Sequence, residues 1–336
     1  MKKKHGILLI NLGTPTSCDR ASVRTYLKEF LNDPRVIDLP WLIRKWLLTF
    51  VILPFRPKQS AKAYEKIWTK EGSPLLINSN ALTTALSKRF SQETPVVLGM
   101  RYGTPSIASA LEILSDIDNL MVLPLYPQYS SAATGSSIEK VYLELKSKRT
   151  QPNLIMLRDF FSYPSFLDAQ AQLIKDKQEN INSHLLFSYH GLPEQHLIKG
   201  GCQSICTPTC PIENDNPNSC YRKQCYQTTH EVAKRLKLTP EQYSTSFQSR
   251  LGKTPWIRPY TDHTLTQLRE QGIKNIRIVC PSFVADCLET IEEIGMQARE
   301  QWFALGGEQF QLIPCLNSEP LWLDALESLI RDNLCK

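Results

Sequence analysis

Short apolar runs alternate with amphipathic stretches along almost the whole of this 336-residue chain, and that alternation restricts its fold more than any other feature. The apolar runs fall at 7–11, 95–103, 120–130, 154–160, 184–191, 276–283 and 310–317, and the short STSFQ at 244–248 is a further strand candidate. Between and around them, 19–30, 107–115, 137–148, 164–178, 228–237, 264–271, 289–303 and 320–334 carry apolar residues at helical spacing. Strands that alternate with helices predict parallel sheets built from right-handed βαβ units. The pattern occurs twice, and single cores stop growing at roughly 250–300 residues. We therefore expect an α/β protein of two doubly wound, Rossmann-like domains, with helices flanking each sheet and a cleft between the two. Residues 1–165 form the first, and 166–336 the second with an insert at 200–225.

The composition narrows the class further. Hydrophobic residues make up 42% and charged residues 21%, ordinary globular values, and the net charge is +6. Such a mild excess suits an anionic ligand or lipid headgroups, and without a recognition motif it does not argue for nucleic acid. The apolar core of the N-terminus, Ile7 to Ile10, is too short for a signal sequence, and no 18-residue apolar stretch predicts a spanning helix. A cytoplasmic location is the expectation. The segment from Trp41 to Lys58 interleaves Trp41, Trp46, Phe50 and Phe55 with Arg44, Lys45, Arg56 and Lys58. It reads either as a surface resting in a membrane interface or over a greasy ligand, or as a buried helical hairpin. No Gly-x-Gly-x-x-Gly follows the first strand, so a nucleotide-phosphate cradle is missing.

The run HLLFSYHGLP locates the chemistry. Leu185, Leu186 and Phe187 read as a buried strand, and Gly191 and Pro193 then stop it. In open α/β sheets ligands gather beyond the carboxyl ends of strands, which is where His190 falls, although a histidine after a strand also serves as a hydrogen-bonded loop residue. A second junction, PSFVADCLETIEEI, places Glu289 and Glu293 four residues apart on one helical face, with Asp286 just before them. The loop 126–137, with two tyrosines and many hydroxyls, can bind carboxylates through neutral donors.

Taken in order, NLGTP, FLNDPRVIDLP, GSPL, GMRYG, PLYPQYS with TGSS, FSYHGLP, YRKQCYQTT, SFQSRLGKTPWIRPYT and PSFVADCLETIEEI resemble the ferrochelatase family over nearly the entire chain. The resemblance implies insertion of Fe²⁺ into protoporphyrin IX, the last step of protohaem synthesis, by two chelatase-type lobes around a porphyrin cleft. It implies His190 and Glu289 as the essential pair, which would also meet the substrate iron, and Glu293 as a further acid. It implies Leu12, Arg101, Tyr102, Tyr129 and Ser130 as residues against the macrocycle. Where some relatives carry a histidine two positions before the glutamate, this chain has Cys287. Coproporphyrin as substrate, another tetrapyrrole chelatase, and a non-catalytic porphyrin or iron-sulfur sensor are the competing readings. The apolar 46–55 stretch favours protoporphyrin and contact with the inner membrane surface, and the chain is expected as a monomer or homodimer.

Half of the ten cysteines lie within 24 residues, Cys202, Cys206, Cys210, Cys220 and Cys225, in a segment too polar and proline-rich to form a core. A bound metal would order it. The spacings are not those of paired zinc-ribbon thiols, and four thiolates suit a [2Fe-2S] cluster. The insert is similar to that of ferrochelatases with an internal cluster. Cys202, Cys210, Cys220 and Cys225 are the favoured ligands with Cys206 as the alternative, while zinc or free thiols remain open. Cys18, Cys280, Cys287, Cys315 and Cys335 are scattered and read as ordinary thiols.

Overall fold

A computed structural model describes residues 4–177, 183–202, 220–252 and 254–334. Cys206, Cys210 and Cys335 lie outside the described residues. The chain divides into two compact units, one of residues 1–126, 130–159 and 317–336, the other of 127–129 and 160–316. The C-terminal helix, Pro320–Leu334, thus belongs with the first unit. Arg89 holds it there through Asp324 and, at 3.2 Å, Glu327.

The first unit is built on four parallel strands, β1 (His5–Thr14), β2 (Val96–Gly103), β3 (Asn119–Pro124) and β4 (Asn153–Met156), in the order β2-β1-β3-β4. Ile7 to Ile10 of β1 are completely buried, as expected for a strand paired on both sides and covered on both faces. Leu8 and Ile10 pack with Val122 of β3 and with Ile107, Leu111, Val141 and Leu145 from helices Ile107–Ile113 and Ser136–Leu145. Gly13 has φ +111°, and a Cβ there would stand 1.8 Å from the Tyr102 carbonyl oxygen, so only glycine lets β1 and β2 close at their carboxyl ends.

The second unit repeats the plan with β5 (His184–His190), β6 (Tyr243–Gln248), β7 (Asn275–Val279) and β8 (Gln309–Leu312), all parallel, in the order β6-β5-β7-β8. Leu186, Ile276, Ile278, Ile294 and Trp302 form its core. In both sheets the winding direction reverses between the first and third strands, the position at which doubly wound sheets bind their ligands. The expected alternation is present in full, but the helix expected over 289–303 is a π-helix, Glu289–Ala298, followed by the α-helix Arg299–Ala304.

The segment after Pro40 is helical throughout, Trp41–Leu47, a π-turn Leu48–Ile52 and Leu53–Ile67. Leu48 and Leu53 are buried, whereas Leu42 and Phe55 are 69% and 75% exposed and Trp41, Trp46 and Phe50 are also open to solvent. This is an exposed apolar face, not the buried hairpin that the sequence also allowed. Among the described residues no helix is long and apolar enough to cross a membrane.

Candidate active site

His190 is the last residue of β5, at the carboxyl end and beside β7, which is the reversal point of the second sheet. Its backbone N–H donates to Ser282 Oγ at 3.0 Å, just past the end of β7, and its carbonyl accepts from Tyr221 Oη at 2.8 Å. Gly191 turns the chain away. A Cβ at that position would lie 2.8 Å from the Gln248 carbonyl oxygen and 3.2 Å from Trp256, so glycine is required for close approach to β6. The imidazole Nδ1 stands 2.6 Å from the Gly191 carbonyl oxygen. A carbonyl only accepts, so Nδ1 carries a proton, and it is Nε2 that offers the lone pair whenever the ring is neutral. Trp256 and Phe283 flank the ring at centroid distances of 6.3 and 6.2 Å.

Glu289 and Glu293 open the π-helix, and the four-residue spacing keeps the two carboxylates within electrostatic reach of each other. The i→i+5 bonding of a π-helix widens the turn, and such turns recur at functional sites. Glu293 is gripped by one residue, with Ser249 N donating to Oε1 at 2.6 Å and Ser249 Oγ donating to Oε2. Burial pushes the Glu293 carboxyl above its ordinary range and the Glu289 charge adds to this, against the Ser249 bonds and the nearby His190 charge, which pull it down. The three residues singled out as a catalytic set in the sequence therefore interact in one place. Gln248 ties them to the sheet. Its Nε2 donates to the Glu289 carbonyl at 2.8 Å, and its Oε1 accepts from Ser188 Oγ of β5 at 2.8 Å.

Cys287 is buried, and its thiol is pushed far up, first by burial and then by the adjacent Glu289 carboxylate. Asp286 is occupied in structure. Its Oδ1 accepts from Thr290 Oγ1 at 3.1 Å and from the Cys315 amide at 3.2 Å.

In the first unit, Arg101 and Tyr102 are bound to a buried carboxylate that sequence reasoning did not single out. Arg101 Nη2 lies 2.5 Å from Asp33 Oδ2, which also accepts from Tyr102 Oη at 2.9 Å and Ser136 Oγ at 2.6 Å. The Arg101 guanidinium stacks 4.4 Å from the Tyr102 ring centre. Tyr102 is fully buried, and Arg101 is half-buried. Burial works to raise the Asp33 carboxyl, but Ser136, the Arg35 amide, Tyr102 and Arg101 together hold it below the usual range. Leu12 is half-buried near the end of β1, with its amide on Asn11 Oδ1 at 2.8 Å. Ser130 caps the π-turn Ser131–Gly135 through Ala133 N, and the amide of Tyr129 donates to Gln224 Oε1 at 2.6 Å.

Of the favoured cluster ligands, Cys225 is fully buried on helix Tyr221–Arg235, and Cys202 and Cys220 are half-buried. Cys210 and the alternative Cys206 lie outside the described residues. Among the described residues no three His, Cys, Asp or Glu side chains are grouped to hold a metal ion.

The ferrochelatase family profile matches residues 4–334. A ferrochelatase of Legionella pneumophila is 53% identical over 329 residues, 98% of this chain and 99% of that protein. A ferrochelatase of Coxiella burnetii is 48% identical over 341 aligned positions, 98% of this chain and 94% of that protein. Among solved structures, SirB from Bacillus subtilis with Fe³⁺ matches with a TM-score of 0.57 over 98% of this chain and 95% of that one, at 11% identity, a likeness of fold alone. The end-to-end match of profile and relatives, on a fold that carries His190, Glu289 and Glu293 together, means that the chain belongs to the ferrochelatase family.

Proposed function

We propose that this protein inserts Fe²⁺ into protoporphyrin IX to give protohaem. The reaction exchanges two pyrrole N–H protons for one divalent ion, so the site must accept protons and offer ligands that suit a first-row metal. The observation that carries the proposal is the His190 imidazole, held as the Nδ1–H tautomer with Nε2 free, in electrostatic contact with Glu293. Neutral imidazole and carboxylate meet both needs. His190 Nε2 takes a pyrrole proton. Glu293, its carboxyl biased toward the protonated form by burial, stores or passes protons, and Glu289 meets the incoming iron beside His190. Leu12, Arg101, Tyr129 and Ser130 contact the macrocycle, and the buried Tyr102 acts by holding Arg101 against Asp33. Anaerobic Fe²⁺ insertion followed by absorbance tests this. His190→Ala and Glu289→Gln are expected to lose turnover while still quenching on porphyrin binding. Near-wild-type turnover in either folded variant removes that residue from the mechanism. Coproporphyrin is expected to be the poorer substrate, and equal or faster turnover with it overturns the choice of porphyrin.

The exposed face of Trp41, Leu42, Trp46, Phe50 and Phe55, with Lys45 Nζ 5.1 Å over the Trp41 ring, supports a cytoplasmic protein that rests peripherally on the inner membrane surface, where its apolar substrate and product reside. The cysteine insert supports a [2Fe-2S] cluster held by Cys202, Cys210, Cys220 and Cys225. Among the described residues, Cys225 is fully buried and Cys220 is close enough that its charge adds to burial in pushing the Cys225 thiol up, which suits a pair of thiolate donors. A cluster would supply a covalent brace sensitive to oxidation. Anaerobically purified protein is expected to be brown with about two irons and two labile sulfides per chain. Colourless, fully active protein that contains zinc overturns the cluster.

A further inference from the structure

Gln248 is the last residue of β6 and the register partner of His190 across the β5–β6 pair. It is only 3% exposed. Its backbone carbonyl accepts from the Gly191 amide at 2.8 Å, which holds the turn just after His190. Its side-chain Nε2 donates to the Glu289 carbonyl at 2.8 Å, in the first turn of the π-helix. The next residue, Ser249, grips the Glu293 carboxylate through its amide and its hydroxyl. Two consecutive residues at the carboxyl end of β6 therefore hold the His190 turn and both acids.

The direction of every bond around the Gln248 amide follows from one atom. The Glu289 carbonyl only accepts, so the amide turns Nε2 toward the π-helix and Oε1 toward β5. Oε1 then accepts from Ser188 Oγ at 2.8 Å and from the Cys280 thiol at 3.7 Å. Having given its proton to Gln248, Ser188 Oγ accepts from Thr261 Oγ1 at 2.9 Å, and Thr261 accepts in turn from Ser246 Oγ at 2.9 Å. All three hydroxyl residues are buried, and Ser188 faces Ser246 in the strand register, as His190 faces Gln248. A flipped amide would set two acceptors, Oε1 and the Glu289 carbonyl oxygen, face to face. The buried chain thus leaves the amide a single orientation, and that orientation bridges β5 to the π-helix.

We infer that Gln248 is a positioning residue for metal insertion, which fixes the separation between the strand that carries His190 and the first π-turn that carries Glu289, so that imidazole and carboxylate reach the same iron. The assignment rests on the roles proposed above for His190 and Glu289. Ser188, at one end of the bridge, precedes His190 by two residues on the same strand. At the other end, the Glu289 carbonyl carbon is bonded to the Cα from which that carboxylate is directed. A displacement of about 1 Å in a reacting group can cost roughly a hundredfold in rate, and this bridge is what resists such a displacement. Gln248 is buried and its bonds go to protein groups, so its effect falls on the iron and not on the binding of the macrocycle.

The test is anaerobic insertion by the full chain, with Fe²⁺ and porphyrin varied separately, porphyrin binding read by fluorescence quenching, and each variant assayed at a temperature where it is fully folded. Gln248→Met keeps the side-chain volume and removes both the donor and the acceptor. It is expected to raise KM for Fe²⁺ at least about tenfold and to leave the porphyrin KM and Kd within about twofold of wild type. Ser188→Ala removes only the hydroxyl that orients the amide, and it is expected to raise KM for Fe²⁺ by about two- to fivefold; it carries the test if the methionine variant does not fold. A merely structural role would weaken both substrates together. An Fe²⁺ KM unchanged in the folded variants, or porphyrin binding weakened as much as that of Fe²⁺, overturns the assignment. Loss of turnover in Glu289→Gln beside unchanged kinetics in Gln248→Met overturns the positioning role alone, whereas near-wild-type turnover in Glu289→Gln overturns the reading on which it rests.

Discussion

Ser249 is the position at which the protonation of the site can be altered without touching His190, Glu289 or Glu293. It donates twice to Glu293, from its amide and its hydroxyl, and does so from a left-handed backbone with φ +66°. Ser249→Ala removes the hydroxyl bond and keeps the amide bond. A hydrogen bond to a charged group is worth about 1.5–3 kcal/mol and one between neutral groups about 0.5–1.5 kcal/mol, so the hydroxyl favours the carboxylate over the acid by roughly 1 kcal/mol. Its loss displaces the Glu293 protonation equilibrium about fivefold toward the acid. The Glu293 carboxyl is already raised by burial and the Glu289 charge, so the change is in the same direction.

The sign for stability follows from the raised carboxyl. A folded-state pKa above the unfolded one means that the native state binds the extra proton, so Glu293 costs nothing below the ordinary carboxylate range and its cost grows as pH rises through its folded pKa. Ser249→Ala deepens that cost by roughly 1 kcal/mol at neutral pH and leaves stability near pH 4 unchanged from this source. Alanine retains the left-handed strain, whereas Ser249→Gly relieves about 1 kcal/mol of it, so the glycine variant is expected to be the more stable of the two with the same shift in Glu293. Carbon-detected NMR titration of the Glu293 carboxyl, with urea unfolding at pH 4 and 7, reads both quantities. An unchanged titration in both variants, or a larger stability loss at pH 4 than at pH 7, refutes the reasoning.

Asp33→Asn is expected to cost about 3–5 kcal/mol in urea unfolding, because it leaves the Arg101 cation without its counter-charge. The contribution of Asp33 is present above the ordinary carboxylate range and lost as pH falls through its depressed pKa, so the gap between this variant and wild type narrows in acid. Gly191→Ala forces the Gln248 carbonyl away from its 2.8 Å approach, and it is expected to destabilise by about 1–3 kcal/mol and to cut turnover well beyond what the stability loss explains, measured by iron insertion at a temperature where the variant is fully folded. Trp46→Ser with Phe55→Ser removes two exposed anchors and is expected to weaken cosedimentation with anionic vesicles at least about tenfold, at unchanged turnover in detergent.

The parts of the fold and site that a reader of the sequence could find are those written in neighbouring residues. Seven of the eight strands follow from short apolar runs, β6 with its sequence YSTSFQ being the exception, and His190 follows from an apolar run that ends on glycine and proline. The helix Pro74–Ser87 escaped because its polar residues, Asn78, Ser79, Asn80 and two threonines, obscure its apolar spacing and Ser79 is buried by its bond to Asn11. Ser249 lay inside a stretch that matches the family, yet nothing local predicts that it adopts a left-handed conformation and grips a glutamate 44 residues on. Asp33 likewise owes its place to residues 68, 69 and 103 positions away.

Arg277 is the instructive middle case. An arginine between two isoleucines in a strand that parallel pairing buries on both faces must point into the protein, so the sequence with the fold already demands a counter-charge for it. Charged side chains in such strands are tolerated when a carboxylate stands opposite, as Asp33 does for Arg101. The residue in register with Arg277 on β8 is Gln311, which brings no charge, and on β5 it is Leu185, which brings no polar atom at all. The strand pairing therefore brings no neutralising group, and among the described residues the guanidinium has a hydroxyl, Ser183 Oγ at 2.8 Å, and no carboxylate.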